Sequence, residues 1–400
     1  MKVLKIIYTL LLLLTMMPVM AQKKEINMAR SWVKAGNNLD KAELSMMTLL
    51  KDSANRTNEK IWGILFESLR KQYASGNEKL YLKQKYDTTS LFNIASRMFT
   101  VMASYDSIDA LPDKNGKVNP KYRKDNSAML NSLRPNLYNG GLFFIRKQNY
   151  ASAYQLFNQY IETAHQPLFA AYRYTEKDKR LPEAAYWSVY CAYKLKDTKK
   201  TLHHTYLALK DTAHYEMMLQ YLAATYRLEG DSVRMLETLK EGFSRYPHSA
   251  FFYPHLIDYY SKKQQWGEAL ALTNDALKKD SLNERFLLAK SSVLLNLGQY
   301  KESYQISKSL LQRNDSLTEA NLNAGLALFN QGVDLDKTPT TSSHQRRDFI
   351  KFYRQALPYL EKYRKFCPDR QDKWALPLYT IYLNLNMGRQ FDEIDKLLKQ

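Results

Sequence analysis

Residues 250–317 read AFFYPHLIDYYSKKQQWGEALALTNDALKKDSLN followed by ERFLLAKSSVLLNLGQYKESYQISKSLLQRNDSL. The two lines coincide at a shift of 34 residues: Tyr260 falls on Leu294, Trp266 on Tyr300 and Ala269 on Ser303. Each line holds two helix-length amphipathic stretches joined by a short turn, the pattern expected of two antiparallel helices. Outward from this stretch the same shift continues. Pro182, Glu216, Ala250, Glu284 and Thr318 open successive blocks with no gap between them. The turns stand out as Leu228-Glu229-Gly230-Asp231, Lys263-Gln264-Gln265-Trp266 and Leu297-Gly298-Gln299-Tyr300. Position eight carries Val189, Ala223, Ile257, Ser291 and Gly325, mostly small, where two helices must approach. Position eleven carries Tyr226, Tyr260, Leu294 and Leu328, and position twenty Thr201, Met235, Ala269 and Ser303. Pro247 and Pro368 close blocks where a helix should stop.

A self-similarity at this period is the mark of a stacked helical repeat. The chain resembles the tetratricopeptide repeat, most closely over 250–317, where Tyr253, Leu256, Tyr260, Trp266, Ala269 and Ala276 sit at the family's spacing. The resemblance reaches back to 134–163, with Gly140, Gly141, Tyr150 and Ala153 in register. Residues 164–181 add about half a repeat there. Forward it becomes less regular: a loop is expected at about 333–348, a helix resumes near Phe349 with Ala356 and Leu360, and a last pair follows over 374–387 and 391–398. Lys290 and Ser303 depart from the consensus. The resemblance implies an all-α fold, a right-handed superhelical solenoid of antiparallel helix pairs. One pair cannot bury its own apolar face, so stacking supplies the core.

The rest of the chain divides around this array. Lys2 and Lys5, the apolar run from Ile6 to Leu14, Pro18 and Val19-Met20-Ala21 form a secretory signal segment, 1–21, with cleavage expected before Gln22. An uncleaved anchor is the alternative, against which stand its short apolar core and Pro18. No Cys follows the run to carry a lipid. Residues 22–125 read as irregular, diverged helical repeats: helices over 39–50, 58–73 and 90–104, and an exposed loop over 111–120. Residues 126–400 form the regular array. The composition, 45% hydrophobic and 25% charged with 13 Gly and 12 Pro, is that of a globular protein. Removing Lys2 and Lys5 takes the formal charge from +19 to +17. Export turns what would suggest nucleic acid in a cytosolic protein into a modest attraction for anionic envelope surfaces, weakened by salt.

Two cysteines, Cys191 and Cys367, exclude a disulfide framework. Placed four repeats apart, they are expected to stay unbridged. Phosphate-loop, dinucleotide, zinc-protease and nucleophile-elbow motifs are absent, so no enzyme and no cofactor is expected. His203 and His204, with His214 the only histidine cluster, are expected on different sides of one helix, and no metal site is assigned to them.

Binding is therefore the positive expectation. In the family, positions two, five, nine, twelve and thirteen of the first helix face a concave groove that takes extended protein segments. Carried over, these give Tyr138, Tyr186, Tyr190, Tyr193, Lys194 and Arg227 as the leading groove candidates. Asp258, Ser261, Leu288, Ser292 and Asn296 occupy the same positions in later blocks. Tyr186, Tyr190 and Tyr193 make one helical stripe, suited to recognition if exposed. The other reading is that residues 164–181 fold over the stripe and bury it. Fifth positions Tyr186, Gln220, Pro254 and Leu288 lack the Lys and Asn with which chaperone adaptors of the family hold a terminal carboxylate. The expected function is a non-catalytic periplasmic scaffold or adaptor for another envelope protein. A glycan-binding repeat protein of an envelope uptake system is the rival reading.

Overall fold

The structure, a computed structural model, describes residues 22–336 and 343–399. The expected signal segment 1–21 and the centre of the expected loop, 337–342, lie outside the described residues. Among the described residues the chain is helix and turn with no strand. No helix among them is long and apolar enough to cross a membrane. Contacts gather the chain into two compact units, the division falling between Ser232 and Val233.

The first unit opens with α1 (22–35), which the sequence reading did not anticipate. Its Ile26, Ala29 and Val33 are buried at helical spacing. Then come α2 (Leu39–Leu49), α3 (Glu59–Tyr81) and α4 (Thr88–Asp109). Asn58 caps α3 through the Lys60 N–H, and Asp87 caps α4 through Thr89 and Ser90. The α3 and α4 helices, 23 and 22 residues long, exceed what a 34-residue pair accommodates, which is why no register is visible there. After the loop, α5 (Arg123–Leu133) is tied back to α4. Asp109 accepts from the Lys121 and Tyr122 N–H groups at 3.1 and 2.8 Å, and the Arg123 guanidinium forks onto Asp106 at 2.8 and 2.9 Å.

The first regular pair is α6 (Pro135–Arg146) with α7 (Tyr150–Glu162). Gly141 stands at the eighth position of this block. A Cβ there would fall 2.5 Å from the Phe157 ring, so the helices approach this closely only over glycine. Residues 164–181 follow as a 3-10 turn, Pro167–Tyr172, and one helical turn, α8 (Tyr174–Lys177). Arg134 anchors them. Its guanidinium donates to Thr163 Oγ1 at 2.7 Å and to Asp178 at 2.5 Å, and lies 3.7 and 3.8 Å from the Tyr160 and Tyr174 ring centres. Burial works to raise the Asp178 carboxyl, but hydrogen bonds from Tyr160 and Arg134 outweigh it and hold the group below the usual carboxylate range. The unit ends with α9 (Leu181–Lys194), α10 (Thr198–His203), α11 (Thr205–Ala208), a 3-10 turn (Thr212–His214) and α12 (Tyr215–Glu229).

The second unit begins within α13 (Ser232–Arg245) and continues in pairs: α14 (Phe252–Lys262) with α15 (Trp266–Lys279), then α16 (Glu284–Asn296) with α17 (Tyr300–Arg313). Next are α18 (Thr318–Asp336) with α19 (Ser343–Phe366), and α20 (Gln371–Asn384) with α21 (Gly388–Leu398). Helix therefore reaches further into the expected loop than the sequence suggested, to Asp336 on one side and from Ser343 on the other. At the contact of α18 with α19, a Cβ on Gly325 would meet Leu360 at 2.6 Å. Ser303, a departure from consensus, is buried and donates to the Ser291 carbonyl at 2.7 Å, which joins α17 to α16. Cys191 is buried in the first unit, where burial pushes its thiol up to about 12, and Cys367 is half-buried in the second. Both are free thiols.

Candidate functional site

The turn between the helices of a pair repeats as a backbone event. Lys196, Gly230, Gln264 and Gly298 each take a positive φ, of 57°, 75°, 55° and 77°. They stand 34 residues apart at position fifteen of their blocks. The next N–H in each case reaches back five residues: Asp197 to Ala192, Asp231 to Tyr226, Gln265 to Tyr260 and Gln299 to Leu294, at 2.9 to 3.1 Å. This is the left-handed helix stop that satisfies the last carbonyls of a helix and ends it. Inside the pairs, Val189, Ser291, Thr201, Ala269, Ser303 and Ala276 are buried to 1% exposure or less at positions eight, twenty and twenty-seven. These are the helix–helix contacts that the register demands. The fold is an all-α helical repeat of the tetratricopeptide type.

No family model matches the chain, and no curated protein matches it. Among solved structures, the C-terminal part of a TPR repeat-containing protein from Cytophaga hutchinsonii is 14% identical, with 65% of this chain and 93% of that one covered at a TM-score of 0.44. A TPR repeats protein from Bacteroides fragilis is 17% identical over 66% of this chain and 98% of its own, at 0.30. The TPR2AB domain of yeast Sti1, solved in a complex with pHSP90, is 12% identical over 68% and 100%, at 0.24. What identifies the repeat in this chain is its register and packing rather than these scores.

The groove positions of this repeat protein behave differently in the two units. In the first, Tyr138 and Tyr186 are buried, against the expectation that they line a groove. Tyr138 packs on Phe157 and Tyr160, ring centres 5.6 and 5.8 Å away. Tyr186 lies flat against His214 at 4.0 Å and near Tyr221 at 6.3 Å. The cover is thus the Thr212–His214 turn and α12. Residues 164–181, the cover expected from sequence, instead turn to α4 and α5, through Phe169 on Phe99 and the Tyr174 hydroxyl on Asn131 Oδ1. Tyr190 is half-buried between Tyr150 and Trp187, with burial first and Tyr150 second pushing its hydroxyl up to about 12. Tyr193 is half-buried at 4.6 Å from Tyr221, while Lys194 and Arg227 are exposed. The stripe is mostly structural.

The second unit keeps its groove open. A cavity of about 450 Å³ runs along the first helices α14 and α16 to the start of α18. Its walls carry groove positions of three successive blocks: Pro254, Asp258 and Ser261, then Arg285, Leu288, Ser292 and Asn296, then Glu319. Asp258, Ser261, Leu288, Ser292 and Asn296 are the residues that the register placed there. Polar bonds hold the wall in shape, with Asn323 Nδ2 donating to the hydroxyls of Ser291 and Ser292, both at 2.8 Å. At the floor is Tyr253, 4% exposed, whose buried hydroxyl has no partner in the protein. Burial pushes that hydroxyl above the usual phenol range. A buried phenol left without an acceptor costs stability. Sequence reading missed Arg285, Glu319 and Trp266 on these walls. The second-position register of Arg285 and Glu319 was the available signal.

The histidine cluster also differs from expectation. The helix breaks at His204, so the adjacent rings of His203 and His204 come within 4.2 Å of each other rather than pointing to opposite sides. Burial, with the charges of His203 and His165 secondary to it, lowers His204 to about 4, so its imidazole is neutral at neutral pH. His214, the third member expected from sequence, belongs to the Tyr186 stack instead.

Proposed function

We propose that the protein is a non-catalytic scaffold that holds an extended segment of another protein in the groove of its second unit. The observation that carries this reading is an open cavity walled by groove positions of three successive blocks. An extended segment can lie along this continuous face of three first helices. Leu288, Pro254 and the Trp266 ring offer apolar contact along the same wall. Arg285, Asp258 and Glu319 put charges of both signs on its walls, which suits a segment that carries charges itself. The signal segment supports placing this activity in the periplasm of a Gram-negative envelope, with the basic surface adding a salt-sensitive attraction to anionic envelope material.

The test is selection of extended peptides from a random library against the full chain, followed by affinity measurement by fluorescence anisotropy. Selected peptides should lose all measurable binding with Leu288→Arg. Peptides that bind the Leu288→Arg chain unchanged would place recognition elsewhere. A glycan array separates the rival reading, for which Trp266 is the stacking candidate: saccharide hits lost on Trp266→Ala, with no peptide selected, would favour it.

A further inference from the structure

The break in the second helix of the Pro182 block has a chemical consequence. It ends α10 at His203, turns the chain at His204, and sets both imidazoles against the last residue of α7, Glu162. One donor atom from each of Glu162, His203 and His204 lies within 4.8 Å of the other two. All three belong to the first unit. Two imidazoles and a carboxylate are the donor set of zinc sites that keep a position open. In such a site the metal–donor distances are about 2.0–2.2 Å, so the donors must draw somewhat closer. His203 is exposed and has the rotamer freedom to do this.

A second observation concerns the outer shell. His204 Nε2 lies 2.8 Å from the Asn158 side-chain oxygen, one turn before Glu162 on α7. With that carbonyl as acceptor Nε2 carries the proton, which leaves the Nδ1 lone pair free to ligate. Metal-bound histidines are held in this way by a carbonyl or carboxylate behind the ring. We propose that Glu162, His203 and His204 form a binding site for a divalent transition metal of the zinc class, with water in the remaining position. Imidazole-rich sites of this kind also favour Cu²⁺ and Ni²⁺ over the harder Mg²⁺ and Ca²⁺. Bound there, the ion ties the end of α7 to the helix break that carries the Thr212–His214 turn over Tyr186.

The experiment uses the tag-free full chain after chelator treatment. Zn²⁺ is titrated calorimetrically, and Co²⁺ is followed by its visible absorption. The expected result is one equivalent of either ion, d–d bands of low-coordinate Co²⁺, and a higher Tm with Zn²⁺ than without. His203→Ala and Glu162→Gln should each weaken binding by about tenfold or more, and Asn158→Leu should weaken it by at least that factor through the second shell. His248→Ala, outside the cluster, should leave it unchanged. Circular dichroism of His203→Ala checks that the fold persists, which the exposure of that side chain favours. Absence of saturable binding overturns the proposal, as does binding undiminished in a Glu162→Gln/His203→Ala double variant.

Discussion

The same register positions are closed in one unit and open in the other, and a single interruption accounts for the difference. In the Pro182 block the second helix breaks at His204, and the freed chain returns as a turn that lays His214 on Tyr186. In the Ala250 and Glu284 blocks the second helices α15 and α17 run 14 residues each without a break, so nothing folds back and the first-helix face stays accessible. A repeat position therefore specifies a direction relative to its own helix. Whether that direction ends in solvent depends on chain that lies tens of residues away.

The largest effect is expected where the first unit closes on itself. Arg134 and Asp178 are 6% and 13% exposed, so Arg134→Met leaves an anion buried without its partner. The urea midpoint should fall by an amount equal to about 3–5 kcal/mol. A loss below about 1 kcal/mol, the value of a surface pair, would show that this unit is not locked through residues 164–181. The same pair gives a pH signature. Asp178 is depressed on folding, so its contribution is present above the unfolded carboxylate pKa of about 3.9 and is lost as pH falls through the lower folded value. Acid titration of Asp178→Asn should lack that component, whereas an unchanged acid limb would contradict the assignment.

In the open groove the sign reverses. Tyr253→Phe removes a buried hydroxyl that has no partner and keeps a ring packed 4.5 Å from Phe286. Thermal unfolding should show a gain of about 1–2 kcal/mol. A loss of stability would mean that the hydroxyl is satisfied within the fold.

The smallest effect tests the turn shared by both units. Gln264 and Lys196 take the left-handed conformation that Gly230 and Gly298 adopt without strain. Gln264→Gly should stabilise by about 0.5–1 kcal/mol, the Cβ penalty relieved in that region. Destabilisation of the same size would show that the Gln264 side chain contributes more than its backbone costs.

The sequence made the pairing and its period legible because both depend on residues close together in the chain. Gly141 and Gly325 marked tight helix crossings, and Gly230 and Gly298 marked two of the four aligned turns. Lys196 and Gln264 hid the other two, since neither side chain advertises a positive φ. Of the site, Asp258, Ser261, Leu288, Ser292 and Asn296 were readable from register alone. What buries Tyr138 and Tyr186 was not, because Phe157, Tyr160, His214 and Tyr221 come from other elements. Nor was the path of residues 164–181, which follows Arg134 to Asp178 across 44 positions. The pairing of His203 with His204 required the helix break itself, and helical periodicity argues against it.

The central claim is that recognition belongs to the open groove and not to the tyrosine stripe. It is tested most directly by measuring one selected peptide against two variants of the full chain, the charge-introducing Leu288→Arg in the groove and the truncating Tyr193→Ala at the accessible end of the stripe. Loss of binding with Leu288→Arg and wild-type affinity with Tyr193→Ala is the predicted outcome. Binding lost with Tyr193→Ala and kept with Leu288→Arg would contradict it.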